Sequence, residues 1–244
     1  DKMRVLFMGT PDIATGCLQK LIDEKYDIIG VVTQPDKPQN RGKKLGMPPV
    51  KELALKYDIP VYQPIKARDE EFVATLKELN PDIIVVVAFG QILPKSILDI
   101  PKFGCINVHV SLLPKYRGAA PINWAIIQGE KETGVTVFKL QHEIDTGKII
   151  RQAAIPIEDN DNFGTLYNKL KQLGASELIE ALNDISTDSA HYLPQSDELA
   201  SHAPKIFHET CQINFYQGSV QVHNFIRGLC PYPAAWFEFG GQEM

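Results

Sequence analysis

The 244-residue sequence has no uninterrupted apolar run of the length a membrane span needs. Its opening residues, Asp1-Lys2-Met3-Arg4, pass straight into a strand-like segment with no secretory signal, so the cytoplasm is the expected compartment. Cysteine is sparse. Cys17, Cys105, Cys211 and Cys230 lie far apart and form no C-x-x-C pair, which argues against a zinc site or a redox motif and predicts reduced thiols. His142, His191, His202, His208 and His223 share no metal-ligand spacing and read as surface or structural residues, so no metal is expected. Gly9-Thr10-Pro11 lacks the G-x-G-x-x-G spacing that brings a pyrophosphate to a helix end, which argues against NAD. There is no internal repeat, and the net charge of -5 does not advertise nucleic-acid binding for the chain as a whole. What remains is ordinary globular composition, 44% apolar and 23% charged, enough for one large domain and part of another.

Periodicity supplies the organisation. Residues 4–8 are short and apolar and lead into Gly9-Thr10-Pro11-Asp12, a strand ending in a turn with proline placed for the first turn of a helix. Ile13, Cys17, Leu18, Leu21 and Ile22 give that helix one apolar face. A strand at 27–33 precedes a Pro-, Gly- and Lys-rich stretch, 34–49, that is expected to be a loop. Helices follow at 50–57 and 69–79, with a short strand at 61–62 between them. Residues 81–90 are apolar without alternation, as a parallel strand covered on both faces would be. Further strands are expected at 105–109, 134–140 and 149–157, and helices at 119–128 and 163–182.

This alternation predicts an α/β fold, an open, twisted and mostly parallel Rossmann-like sheet with ligands bound beyond the carboxyl ends of its strands. Composition changes after Asp184. Residues 186–206 read as a linker between a catalytic domain, 1–185, and the start of a second domain, 207–244, expected to be cut short at Met244.

Asn107 and His109, two apart near a strand end, project to the same side of an extended chain. Histidine can carry a proton near neutral pH and asparagine offers a donor that cannot ionise, a pair suited to a developing oxyanion. An isolated N-x-H is more often a polar strand end, but here a proline- and glycine-bearing loop follows where such sheets bind ligands. Asp145-Thr146-Gly147 invites comparison with aspartic proteases, whose chemistry needs two facing carboxylates; one copy in an α/β setting excludes it. The plain alternative is a turn with Gly147 at positive φ, and it prevails unless Asp145 meets His109. Lys37, Arg41, Lys43 and Lys44, opposed only by Asp36, form a basic cluster that suits phosphate contact or a solvated loop.

Together these segments resemble the methionyl-tRNA formyltransferases. The words that carry the resemblance are Met8-Gly9-Thr10-Pro11-Asp12, Thr33-Gln34-Pro35-Asp36-Lys37, Arg41-Gly42-Lys43-Lys44-Leu45, Val85-Val86-Val87-Ala88-Phe89-Gly90 with Ile92-Leu93-Pro94, and Ile106-Asn107-Val108-His109-Val110-Ser111-Leu112-Leu113-Pro114. Arg117-Gly118-Ala119-Ala120-Pro121-Ile122, Thr133-Gly134-Val135-Thr136 and Ile144-Asp145-Thr146-Gly147 complete them. Val110 stands where many members have glycine. The resemblance implies an enzyme with Asn107, His109 and Asp145 as its catalytic group, 10-formyltetrahydrofolate as donor, and no metal. It places the folate along Phe89, Gly90, Ile92 and Leu93 and along Ser111, Leu112, Leu113 and Pro114. It also brings Lys37, Arg41, Lys43 and Lys44 to the acceptor end of methionyl-tRNA and makes the C-terminal part the opening of an OB-like domain. Two rivals share parts of this pattern: a formyltransferase for another amine, such as a nucleotide-linked amino sugar, and a non-catalytic folate- or tRNA-binding module.

Overall fold

The computed structural model describes residues 3–39 and 44–244. In chain order its first half contains β1 (Arg4–Gly9), α1 (Asp12–Asp23), β2 (Asp27–Val32), β3 (Lys37–Gln39), β4 (Lys44–Gly46), α2 (Pro49–Lys56), β5 (Val61–Tyr62), α3 (Glu70–Leu79), β6 (Ile83–Val87) and α4 (Lys95–Leu98). The second half contains β7 (Cys105–His109), β8 (Arg117–Gly118), α5 (Pro121–Ile127), β9 (Glu132–Lys139), β10 (Ile149–Pro156), α6 (Phe163–Ser186), β11 (His202–Ala203), α7 (Ser219–Gly228), β12 (Glu238–Phe239) and β13 (Gln242–Glu243).

Seven strands form one sheet in the order β10-β9-β7-β6-β1-β2-β5. The five from β5 to β7 are parallel, while β9 pairs antiparallel with both β7 and β10. Alternate residues of the parallel strands enter two cores. Val5, Phe7, Val85 and Ile106 pack against α1, α2, α5 and α6; Leu6, Met8, Ile84 and Val86 pack against α3 and α4. Burial on both faces explains why β6 is apolar at every position. Helix α6 starts with a reciprocal cap: the Asn162 side chain accepts from the Thr165 amide and Thr165 Oγ1 accepts from the Asn162 amide, both at 2.9 Å. Its buried stripe, including Leu166, Leu170, Leu178 and Leu182, then lies against the sheet and α1.

Chain order reverses direction at β1, since β2 and β5 lie on one side of it and β6 and β7 on the other. The carboxyl ends of β1 and β6 therefore part into a crevice. Gly9 is required there by close approach, because a Cβ would come 2.7 Å from the Val87 carbonyl oxygen and 2.9 Å from the Ala14 methyl.

One segment differs from expectation. Residues 34–49 are not all loop, because β3 and β4 pair as an antiparallel hairpin with Pro38 opposite Leu45. A two-stranded hairpin buries neither face, so it leaves no alternation to read; Leu45 is exposed. Residues 186–206, expected as a linker, are anchored to the sheet side of the molecule at two places. Leu193 exchanges backbone hydrogen bonds with Ile149 (2.8 and 2.9 Å), and β11 pairs in parallel with β8. Within residues 207–244, Gln212 forms a single bridge with Trp236. Beyond it α7 packs on α5, where Asn123 Nδ2 donates to the Gly228 carbonyl, and β12 and β13 form a hairpin. Among the described residues no helix is long and apolar enough to cross a membrane.

Candidate active site

A cleft of about 760 Å³ opens at the carboxyl ends of β6 and β7, within the ~300–1,000 Å³ usual for small-molecule sites. One wall is apolar and comes from the turn after β6: Ala88, Phe89, Gly90, Ile92 and Leu93, backed by Leu98 and Leu140. Ala88 and Gly90 have φ of 49° and 94°, which turn this segment around the mouth of the cleft. Thr10 Oγ1 donates to the Phe89 carbonyl at 2.8 Å and so ties the turn to the end of β1. The opposite wall is built by Pro11, Ile13, Pro121, Ile122, Phe163 and Tyr167. The Tyr167 hydroxyl donates to Asp12 at 3.0 Å, and burial, with Asp12 adding to it, pushes its pKa up.

Between the walls stand Asn107 and His109. Strand β7 is paired on both sides, Asn107 lying opposite Val86 of β6 and Phe138 of β9, so its position is fixed by two neighbours. The Asn107 amide faces the cleft and has no hydrogen-bond partner among the described residues. His109 is 8% exposed. Its Nε2 lies 2.8 Å from the Tyr116 carbonyl, and a carbonyl can only accept; Nε2 therefore carries the proton and Nδ1 is the free position. Nδ1 is 3.9 Å from Asp145 Oδ1, which is ion-pair distance and too long for a direct hydrogen bond.

Asp145 reaches this point from the loop between β9 and β10. Its backbone is left-handed, with φ of 56°, and its Oδ2 accepts from the Gly118 amide at 2.8 Å. The plain-turn alternative assigned that conformation to Gly147, but the positive φ falls on Asp145. Gly147 is demanded by packing, since a Cβ there would overlap the Lys139 carbonyl. Sequence distance hid the meeting of Asp145 with His109, 36 residues apart; the antiparallel return of β9 beside β7 brings them together.

The expected folate contacts divide. Phe89, Gly90, Ile92 and Leu93 line the cleft; Ser111, Leu112, Leu113 and Pro114 do not. Ser111 and Leu113 are buried and turned toward the antiparallel strands, where Thr136 Oγ1 donates to the Ser111 carbonyl (2.7 Å) and accepts from the Leu113 amide (3.1 Å). Gln152 Nε2 donates to the Leu113 carbonyl at 2.7 Å, and Leu112 lines a separate cavity of about 260 Å³. The segment acts as a brace, because the backbone of Ser111 and Leu113 is taken up by side chains of β9 and β10.

Of the basic cluster, Lys37 is exposed on β3 and Lys44 lies on β4, while Arg41 and Lys43 fall outside the described residues. Asp36 is withdrawn from these cations. Its carboxylate accepts from Gln63 (2.7 Å) and Lys51 (3.0 Å), which hold its pKa below the usual carboxylate range.

Sequence reading passed over several residues. His142, read as peripheral, lines the cleft mouth three positions before Asp145, and that proximity was a usable signal. Gln195 touches the Asp145 turn from a segment of linker composition, where nothing marked it. Among the described residues no group of three or more His, Cys, Asp or Glu is placed to hold a metal ion.

Comparison with known proteins bears on this geometry. Residues 2–182 match the family model described as formyl transferase, and residues 205–244 match that of the formyl transferase C-terminal domain. A methionyl-tRNA formyltransferase of Clostridioides difficile is 56% identical over 96% of this chain and 76% of its own length. One from Acetivibrio thermocellus is 50% identical over 99% and 78%. Among solved structures, a sugar 3N-formyl transferase in the presence of dTDP and 5-N-formyl-THF is similar with a TM-score of 0.71 and 26% identity, covering 93% of this chain and 79% of that one. A likely sugar N-formyltransferase from Mycobacterium tuberculosis shares the fold, with a TM-score of 0.76 at 22% identity over 99% and 95%.

Proposed function

The chain belongs to the formyl transferase family, and from that premise we propose that it transfers the formyl group of 10-formyltetrahydrofolate to the α-amino group of methionyl-tRNA, as an enzyme of translation initiation in the cytoplasm. The observation that carries the reading is the meeting of Asn107, His109 and Asp145 in one cleft of a chain with relatives, 50% and 56% identical, that are named methionyl-tRNA formyltransferases. The cleft suits the donor. An apolar wall at Phe89, Ile92 and Leu93 can hold a flat pterin, and an unpartnered amide at Asn107 stands at its inner end.

Chemically, the amine nitrogen bonds to the formyl carbon, the bond from that carbon to the folate nitrogen breaks, the amine loses a proton and the folate nitrogen gains one. Negative charge develops on the formyl oxygen in between. The Asn107 amide and a protonated His109 Nδ1 supply donors to that oxygen, and loss of such a donor costs about 2.7–4 kcal/mol of transition-state stabilisation. Asp145 sustains the charge on the ring from 3.9 Å and, with His109, serves the proton transfer. Asp145 Oδ2 is held by the Gly118 amide, so the carboxylate cannot swing freely.

In this reading residues 1–185 carry the chemistry, and residues 207–244 open a C-terminal unit that helps hold tRNA. Lys37 and Lys44 of the β3–β4 hairpin, together with Arg41 and Lys43 of the same basic cluster in the sequence, meet the phosphates of the acceptor end, so binding should weaken with salt. An amino-sugar substrate has little use for that cluster, and a pure binding module has no use for the catalytic three. The test is formyl transfer from 10-formyltetrahydrofolate to charged methionyl-tRNA, assayed beside uncharged tRNA and a nucleotide-linked amino sugar. Turnover with the charged tRNA alone is expected; preference for the amino sugar, or turnover with none, would overturn the assignment.

A further inference from the structure

We propose that Gln195 is a positioning residue for the transfer reaction, holding the Asp145 turn so that its carboxylate faces His109. The inference rests on the catalytic reading of Asp145 above. Residues 190–204 cross back over the catalytic part, anchored at one end where Leu193 pairs with Ile149 and at the other where the Ser201 carbonyl accepts from Arg117 N (2.9 Å) and β11 pairs with β8. Gln195 lies between these anchors. Its Nε2 donates to the Asp145 carbonyl and to the Gly147 carbonyl, both at 2.8 Å, and its Oε1 accepts from Arg117 Nε (3.2 Å) and Nη2 (2.9 Å).

Chemistry dictates the orientation of this amide. Arginine can only donate and carbonyls can only accept, so oxygen must face Arg117 and nitrogen must face the turn. All of the amide's donors, and two acceptor positions, are then used. Arg117 is buried and is itself steadied by Asp197, 3.0 Å from Nη2.

The turn needs such a clamp. Asp145 is left-handed at φ of 56°, a conformation that aspartate tolerates at some cost and that contacts from outside the loop help to keep. Within the loop the side-chain bonds are Gln141 Nε2 to Thr146 Oγ1 (2.9 Å) and to the Thr146 carbonyl (3.3 Å), and Thr146 Oγ1 to the Glu143 carbonyl (3.0 Å), all exposed and none reaching Asp145. From outside, the Gly118 amide holds the carboxylate and Gln195 holds the main chain on both sides of Thr146. One residue thus connects the strand carrying Gly118, through Arg117, to the backbone that aims the carboxylate.

The discriminating variant is Gln195→Glu. It keeps the length and strengthens the pairing with Arg117, but it has no proton for the two carbonyls. We expect kcat to fall roughly a hundredfold, the loss that a displacement of about 1 Å can bring, with the KM for 10-formyltetrahydrofolate near that of the parent. Gln195→Ala, read by the same two constants, is the companion should the glutamate variant not fold. Asp145→Asn is assayed in parallel. If Asp145→Asn is inactive and both Gln195 variants keep the parent kcat, positioning by Gln195 is wrong while the catalytic reading stands. A rise in donor KM in step with the fall in kcat would also overturn it, because that marks collapse of the whole cleft. Parent-like turnover in Asp145→Asn would instead remove the catalytic reading itself.

Discussion

Two turns leave neighbouring parallel strands at the same edge of the sheet and meet opposite fates. The turn after β6 curls outward through left-handed Ala88 and Gly90 and presents Phe89, Ile92 and Leu93 to the cleft. The turn after β7 folds inward, commits its backbone to Thr136 and Gln152, and then returns through Tyr116, whose carbonyl accepts the His109 ring proton. Residues at equivalent places in a fold thus divide the labour of a site: one turn is the surface a ligand meets, the other keeps the catalytic ring in one tautomer. The difference lies in the neighbours. Strand β7 has antiparallel β9 beside it, which supplies side-chain partners for a buried turn, whereas β6 lies between β1 and β7.

Substitution can break this contrast. The largest effect belongs to the residues between the turns: Asn107→Ala, His109→Ala and Asp145→Asn should each lower kcat by about 10²–10³-fold while donor KM changes little, as single-turnover kinetics can measure. Next comes the brace. Thr136→Val leaves the Ser111 carbonyl and the Leu113 amide without their partner, so unfolding should become about 1–3 kcal/mol easier in a denaturant titration, with donor KM unchanged. In the cleft-lining turn the pattern inverts. Ile92→Ala removes exposed apolar surface, leaves stability near that of the parent, and raises donor KM roughly fivefold, the equivalent of about 1 kcal/mol. If Thr136→Val raised KM as Ile92→Ala does, the division between brace and wall would be lost.

The smallest effect lies outside both turns and depends on pH. Burial pushes the Asp161 carboxyl up, but the Glu158 amide, Lys169 and Thr165 outweigh it and hold the pKa below the usual carboxylate range. A depressed pKa stabilises the fold above the unfolded value of about 3.9 and loses that contribution as pH falls through the lower folded value. Asp161→Asn should therefore be less stable than the parent near neutral pH, with the gap narrowing below about pH 4 in chemical denaturation.

The fold was legible because the central strands obey a rule that needs no partner to be seen. Burial on both faces demands apolar side chains at every position, and residues 83–87, all Ile or Val, say so. Asn107 and His109 were legible for the same local reason, a period of two at a strand end. The β3–β4 hairpin left no trace, since neither of its faces is buried. Ser111–Pro114 was assigned to folate by resemblance and does not line the cleft; nothing local distinguishes a turn that lines a cleft from one that props it.

From the order of its residues alone this chain settles the main helices and strands of the central sheet, how they alternate, and which side chains are able to carry a proton or donate to an oxyanion; these follow from periodicity and functional-group chemistry over a few neighbours. Tertiary structure decided the rest. Asp145 faces His109 because β9 returns antiparallel beside β7, and Gln195 clamps that turn because residues 190–204 cross back over the catalytic part. Both are contacts between distant segments, and the free energy that selects them belongs to the packed whole rather than to any window of sequence.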